Sequence, residues 1–330
     1  MKHILLATTA LVASAGIASA EIELSGSAEM GIIGGSGEVG GVDVDIETQF
    51  HTDIDVTFTM SGETDNGLTF GASIDLDESD NDGADNNGTD PTGSRAFANT
   101  TQGGETIFIA YGAAKLTMGD VDGALDAAMK EAIIGSAIND DHEHAGYNGN
   151  SGFDGGYDGQ IAQFSYAASG FTGYLSVELD DFGNTDPIWG LGVAYSTELA
   201  GLTLGVGLGY QTVEDASTWG LSVDTTFNNG IQAILNYSTV DFGVAGAEDQ
   251  KHFGLALGYT MNALTIGVNY GKFDDVLGVD GDTSKGFGLA VDYDLGGGAE
   301  VQFGYGKSDM DIGGVESDLS TWSLGVAMSF

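Results

Sequence analysis

Asp53 and Asp55 stand two residues apart in a segment whose alternate residues, Ile54, Val56 and Phe58, are apolar, and Glu29 holds the same polar parity in the segment before it. Glu23, Asp75, Glu178, Asp224, Asp292 and Glu300 repeat the arrangement further along. Asp120, Asp122, Asp126 and Glu131 add carboxylates on a long irregular segment, with Lys115 and Lys130 as its main basic neighbours. Rows of carboxylates on one face concentrate cations, the more so where low-dielectric walls focus the field. Asp80, Asp82 and Asp85 lie in an Asp/Asn/Gly run that offers the several oxygen ligands Ca²⁺ takes, although its spacing is not that of an EF-hand. Asp140-Asp141-His142-Glu143-His144 is one residue short of H-E-x-x-H, so it reads as a polar loop rather than a zinc protease motif. No Ser-His-Asp set or isolated carboxylate pair stands out from this background. The expectation is a non-enzyme that requires no cofactor, with Ca²⁺ as the ion its acidic loops suit.

The charge balance sharpens this. Eight basic residues face fifty acidic ones, a formal net charge of -42. Binding to nucleic acid needs Lys and Arg against phosphates, so that class of partner is excluded. Cysteine is absent, so neither disulfides nor thiol chemistry are available. Both prolines, Pro91 and Pro187, fall in polar stretches between apolar segments, as expected of a chain that is nearly all paired strand.

The elements that position these carboxylates alternate with a period of two. Trp322, Leu324, Val326, Met328 and Phe330 interleave with Ser323, Gly325, Ala327 and Ser329. The same beat runs through Leu202 to Tyr210, Trp219 to Phe227, Ile231 to Tyr237, Phe253 to Tyr259, Leu264 to Tyr270 and Phe287 to Tyr293. A β-sandwich would alternate too, but these stripes have the length of about nine to eleven residues that a tilted strand needs to cross hydrocarbon. Tyr210, Tyr237, Tyr259, Tyr270, Tyr293 and Tyr305 sit at stripe ends, where an interfacial girdle belongs. Strands facing lipid must pair on both edges, which closes them into a barrel. The expectation is an all-β transmembrane antiparallel barrel of about sixteen strands. Short turns are expected at 61–67, 197–201, 228–230, 261–263 and 296–298. Longer acidic loops are expected at 77–104, 119–159, 180–187, 241–250, 274–284 and 308–318. Small outward residues on the first strands, such as Gly26 and Ala28, suit a wall packed against another subunit.

Residues 1–20 read as a secretory signal: Lys2 and His3 open it, Ile4 to Ile17 is a short apolar core, and Ala18-Ser19-Ala20 supplies a cleavage site. The barrel is then residues 21–330.

Ile22-Glu23-Leu24-Ser25-Gly26 with Met30-Gly31 resembles the start of the general porins of alphaproteobacteria, the Rhodobacter-type branch. Phe58 to Leu68 with Phe70-Gly71-Ala72-Ser73, Met118-Gly119-Asp120, Tyr293 to Ala299 and the terminal Phe330 are similar as well, so the resemblance runs end to end. It implies an outer-membrane diffusion channel, a homotrimer with one pore per subunit, and a third loop folded into the lumen to make the constriction. It also implies that Phe330 is the signal read by the barrel-assembly machinery. In the family, acidic groups on that loop face basic residues on the early strands. The corresponding positions here are Glu29, Asp53 and Asp55, while Arg95, the only arginine, lies in the second long loop. The constriction is therefore expected to join these three with Lys115, Asp120, Asp122, Asp126 and Glu131, and to prefer cations. The alternatives are a substrate-specific channel, or a surface barrel whose acidic loops bridge lipopolysaccharide through Ca²⁺.

Overall fold

The computed structural model describes residues 21–77, 101–157, 159–180 and 182–330. The signal segment, Asp80, Asp82, Asp85 and Arg95 lie outside the described residues. Alternation becomes sixteen strands: β1 (Glu21–Val39), β2 (Val42–Glu63), β3 (Thr69–Asp77), β4 (Thr101–Tyr111), β5 (Ala114–Asp120), β6 (Gln160–Ala168), β7 (Phe171–Glu178) and β8 (Ile188–Leu199). They continue as β9 (Leu202–Val213), β10 (Ala216–Phe227), β11 (Ile231–Asp241), β12 (Gln250–Met261), β13 (Leu264–Asp274), β14 (Thr283–Gly296), β15 (Ala299–Ile312) and β16 (Val315–Ser329). Each pairs antiparallel with its sequence neighbours, and β16 pairs with β1, so the sheet closes without an edge. No described helix is long and apolar enough to cross a membrane. The strands do that work.

Parity decides which way each side chain points. Leu191 and Val193 on β8, Leu208 on β9, Leu221 on β10, Leu257 on β12 and Val268 on β13 stand on the outer surface. Their neighbours Gly192, Gly207, Ser222, Ala256 and Gly267 face the lumen. Apolar groups that would form the core of a water-soluble protein are thus on the outside, as lipid requires. Aromatic pairs mark the girdles: Trp219 and Tyr237 lie 5.6 Å apart, Phe287 and Tyr305 6.0 Å, and Phe171 and Tyr195 4.3 Å.

Connections at one end are all short, from Thr64–Leu68 to Gly297–Gly298; the long connections lie at the other end. One expected loop is corrected. The acidic run 308–318 is not a loop: β15 continues to Ile312, β16 starts at Val315, and only Gly313 and Gly314 turn the chain. Both have positive φ (60° and 77°), the left-handed conformation that closes a two-residue hairpin without splaying its strands. Acidic side chains are tolerated there because the strands extend past the hydrocarbon into water. β1 and β2 are long for the same reason, and a register shift between Ile33 and Gly35 lets β1 bend. The glycines at 34, 35 and 37 are therefore strand residues.

Candidate functional site

The connection between β5 and β6 turns into the barrel and lines it. Its first part forms a five-residue helix, α1 (Ala124–Ala128), whose start is held by Ala124 N–H donating to Ser176 Oγ on β7 (2.8 Å). From there the chain runs round the wall. Lys130 N–H donates to Ser222 Oγ on β10 (2.8 Å), and Asn236 Nδ2 on β11 donates to the Lys130 carbonyl (2.9 Å). Ser136 N–H donates to Asp292 Oδ2 on β14 (3.1 Å). Ile138 then reaches Gly325 on β16 and Gly31 on β1.

The return limb retraces the circuit. Ser308 Oγ on β15 accepts from Ala145 N–H (2.9 Å), and the Gly146 carbonyl lies 3.0 Å from His252 Nε2 on β12. Asn148 Nδ2 donates to Ser238 Oγ on β11 (3.0 Å), and Phe153 N–H to Gln211 Oε1 on β9 (2.8 Å). Glu178 on β7 closes the circuit, its carboxyl accepting from Gly155, Tyr157 and Gly159 N–H, each at 3.0 Å. What is packed in this molecule lies between the loop and the wall. Leu125 and Ile138 are among its largest fully buried side chains, and Ala132 and Ile134 cluster with Ile234 and Ala256.

Glycine permits this close approach. A Cβ at Gly267 would meet the Ile134 carbonyl oxygen at 1.8 Å, and one at Gly288 the His142 carbonyl oxygen at 1.8 Å.

The expected site residues fall into three groups. Glu29, Asp53, Asp55 and Asp75 share the inner face of β1–β3: Glu29 is directly opposite Asp53, Ser27 Oγ donates to Asp55 Oδ2 (3.0 Å), and Thr57 Oγ1 donates to Asp75 Oδ1 (2.9 Å). Asp122, Asp126 and Glu131 lie on the outbound limb, with Asp140, Glu143 and Asp154 beyond them. Lys130 and Glu131 dock at β10–β11, eight strands round from β2–β3 and so across the channel from them. The loop tip comes nearest the early wall, where Asp140 feels both Asp53 and His51. The third group is elsewhere. Lys115 sits beside the β4–β5 turn with its ammonium 4.8 Å from the Phe108 ring centre, and Asp120 ends β5 paired with Gln160. Glu178 and Asp292, each no more than 4 % exposed, spend their carboxyls on the loop. Glu23 is exposed and Asp224 and Glu300 half-buried on their strands. Among the described residues no group of three or more His, Asp or Glu is placed to hold a metal ion.

Sequence reasoning missed the loop's anchors. Ser222, Asn236, Gln211 and His252 have lumen parity, but so do dozens of polar residues, and nothing local marks them as hydrogen-bond partners of a chain 58 to 106 positions away. It also missed His51, 1 % exposed and 3.8 Å from Glu29.

Burial changes the loop's acidity. Desolvation, with Asp122, Glu131 and Asp154 nearby, pushes the Asp126 carboxyl up to about 7. Glu143 is pushed up to about 7 by burial, then by Asp140 and Glu131, and Asp154 up to about 6 mainly by burial. Burial also raises Asp140 and Asp141, and it lowers His142 and holds His144 down at about 4. Tyr147, which donates to Glu131 Oε2 (2.5 Å), is raised by burial and then by that bond.

Replacing Glu178 by Gln tests the clamp. The amide can accept at one atom only, and its NH₂ would confront an N–H it formerly received. Docking of residues 155–159 should weaken by roughly 2–4 kcal/mol, read as faster hydrogen exchange there with the strands unchanged.

Comparison with known proteins completes the picture. The chain is 28 % identical to the porin of Rhodobacter capsulatus over 91 % of its own length and 98 % of that protein's. Solved structures of Rhodopseudomonas blastica porin variants superpose with TM-scores of 0.60 and 0.61 at 21 % and 22 % identity, covering 94 % of this chain and all of theirs. Residues 7–313 match the family of Gram-negative porins, and with a closed sixteen-strand barrel lined by its third loop the chain belongs to that family: it is an outer-membrane diffusion channel rather than an enzyme.

Proposed function

We propose that this porin passes small hydrophilic solutes and prefers cations. The observation that carries the reading is the meeting of two acidic surfaces. Glu29, Asp53, Asp55 and Asp75 face inward from β1–β3, and the loop carries Asp122, Asp126 and Glu131 on its outbound limb and brings Asp140 at its tip close to Asp53. No arginine lies among the described residues, and the lysines nearest this path are Lys115 at the turn end and Lys130 on the loop. Across a path comparable to the Debye length of about 8 Å, such charges are incompletely screened. The potential they set draws in cations and thins out anions.

The signal segment is cleaved after Ala20 on this reading, and Phe330 serves as the assembly signal. The subunit joins a homotrimer through the outer face of β1 and β2, where Ile22, Leu24 and Phe50 stand far out of the wall beside the small residues Gly26 and Ala28. Reconstitution into a planar bilayer under a KCl gradient tests the preference. The expected reversal potential has the sign of K⁺ permeation; an anion-sided value overturns it.

A further inference from the structure

Six lysines lie among the described residues, and four of them occupy one row on the outside of the barrel. Along the outward face of β12 the order toward the long-loop end is Leu255, Phe253, Lys251, and on β13 it is Val268, Tyr270, Lys272. β14 repeats it as Leu289, Phe287, Lys285, and β15 as Phe303, Tyr305, Lys307. Four adjacent strands thus show the same layers: apolar, aromatic, ammonium. The register carries the row across them. Lys272 is directly opposite Lys285, while Phe253 is opposite Lys272 and Phe287 opposite Lys307, a stagger in one sense that follows the tilt of the strands. The pattern is local. One step beyond the aromatic residue stand Thr212 on β9, Ser217 on β10, Thr239 on β11 and Ser320 on β16.

We infer that this row is a binding site for the phosphate groups of outer-leaflet lipid headgroups. Long connections of such barrels face the cell exterior, so the row lies at the outer-leaflet boundary, one layer above its aromatic girdle. That is the depth at which headgroup phosphates sit, and lysine stems laid along apolar wall keep their ammonium groups at it. In a chain of net charge -42, four lysines beside lipid make a local attraction that no other part of the described outer wall offers. Carboxylates stand close by: Lys272 Nζ is 2.5 Å from Asp274 Oδ1, Lys251 Nζ is 3.9 Å from Asp275 Oδ2, and Asp309, one step beyond Lys307 on the outward face of β15, is directly opposite Lys285. Those carboxylates are nearer the loops than their lysines, and such exposed pairs are weak enough to leave the ammonium groups available to a phosphate. Lys272 and Lys285, adjacent with like charge, gain most from an anion placed between them.

The test uses the full barrel, extracted from vesicles of phosphatidylcholine doped with diphosphoryl lipid A or with its dephosphorylated counterpart, and counts retained lipid by native mass spectrometry. The parent should retain the phosphorylated lipid about tenfold better, with the advantage shrinking as salt is raised. The variant with Lys251→Gln, Lys272→Gln, Lys285→Gln and Lys307→Gln should lose that advantage while its conductance stays that of the parent. If the fourfold variant fails to assemble, Lys272→Gln with Lys285→Gln should cut retention several-fold. Equal retention of the two lipids by the parent, or undiminished retention by the variants, overturns the site; neither outcome bears on ion selectivity, which is read separately.

Discussion

Replacing Glu29, Asp53, Asp55 and Asp75 together by their amides lowers the K⁺ over Cl⁻ permeability ratio by about threefold to tenfold at pH 6, and raising the pH to 8 restores part of it. The amides keep the acceptors that Ser27 and Thr57 use, so the wall keeps its geometry and loses only charge. The pH arm follows from the loop. Asp126 and Glu143, raised to about 7 chiefly by burial, are mostly protonated at pH 6 and ionised at pH 8. At pH 6 these two loop carboxyls add little charge, so removing the early wall takes away a larger share of the fixed charge than at pH 8. At pH 8 the loop contributes anions of its own. In the parent the same pH step should raise the ratio only modestly, because the wall already supplies the field. Reversal potentials of both proteins at both pH values check this. A variant whose ratio matches the parent's at pH 6 would show that the wall carboxylates do not govern permeation.

The same ionisations act on the loop's docking, and the sign can be worked out. A carboxyl whose value is raised in the docked state holds a proton there that it loses when released. Docking is then strongest below the ordinary carboxylate range near 4 and weakens as pH climbs through about 7. His142 and His144 act oppositely. Burial favours their neutral form, so their cost appears as pH falls below about 6.5, continuing toward 4 for His144. Five loop carboxyls, Asp126, Asp140, Asp141, Glu143 and Asp154, are raised against these two imidazoles. The balance favours looser docking toward alkaline pH.

The barrel was legible because lipid imposes a rule on every second residue, and rows such as Leu202 to Tyr210 obey it without help from distant parts of the chain. Turn chemistry was legible where composition and conformation agree, as at Asn228 to Gly230. It misled where acidity was taken for a loop: Ser308 to Asp318 pair residue by residue across a two-glycine turn. The path of the third loop was not readable from residues 119–159 themselves, where Ala, Gly and Asp carry no period. Its partners are recorded on the wall instead, as glycines with lumen parity on every strand from β8 to β15 except β11. Gly192, Gly207, Gly220, Gly254, Gly267, Gly288 and Gly304 each face a loop atom that a side chain would displace. In the sequence they pass for the small residues of any barrel interior. What separates them is a contact between positions more than sixty apart, and more than a hundred apart for Gly254, Gly267, Gly288 and Gly304.

That row of glycines supports the second large effect: a barrel carrying Gly267→Val and Gly288→Val should fold and insert, yet release its third loop. Neither glycine has a positive φ, so valine suits the strand backbone at both positions. At Gly267 the obstacle is the loop alone; at Gly288 it is the loop together with Asn269 Nδ2 on β13, which a Cβ would meet at 2.9 Å and which can turn aside. A Cβ at either site would lie 1.8 Å from a loop carbonyl oxygen, Ile134 on the outbound limb and His142 on the return. Van der Waals contact needs about 3.4 Å or more, so each limb must move off the wall by more than an ångström. Both oxygens belong to backbone, which cannot yield by changing a rotamer. The movement also strains bonds nearby: Asn269 Nδ2 to the His142 carbonyl (3.1 Å), Ser136 N–H to Asp292, and the packing of Ile134 against Ile234 and Ala256. Losing that packing and those bonds costs about 3–5 kcal/mol, enough to make an open loop a common state. The ladder bonds and the outer face of the wall are untouched. The heat-modifiable gel migration of the barrel should therefore be that of the parent, while added protease nicks the variant within 119–159 at least tenfold faster, and faster at pH 8 than at pH 5. Single-channel current should lose its steady level, as the segment that narrows the lumen no longer has one position. A variant that resists protease and conducts like the parent would mean that the loop is held by something other than its fit against the glycine wall.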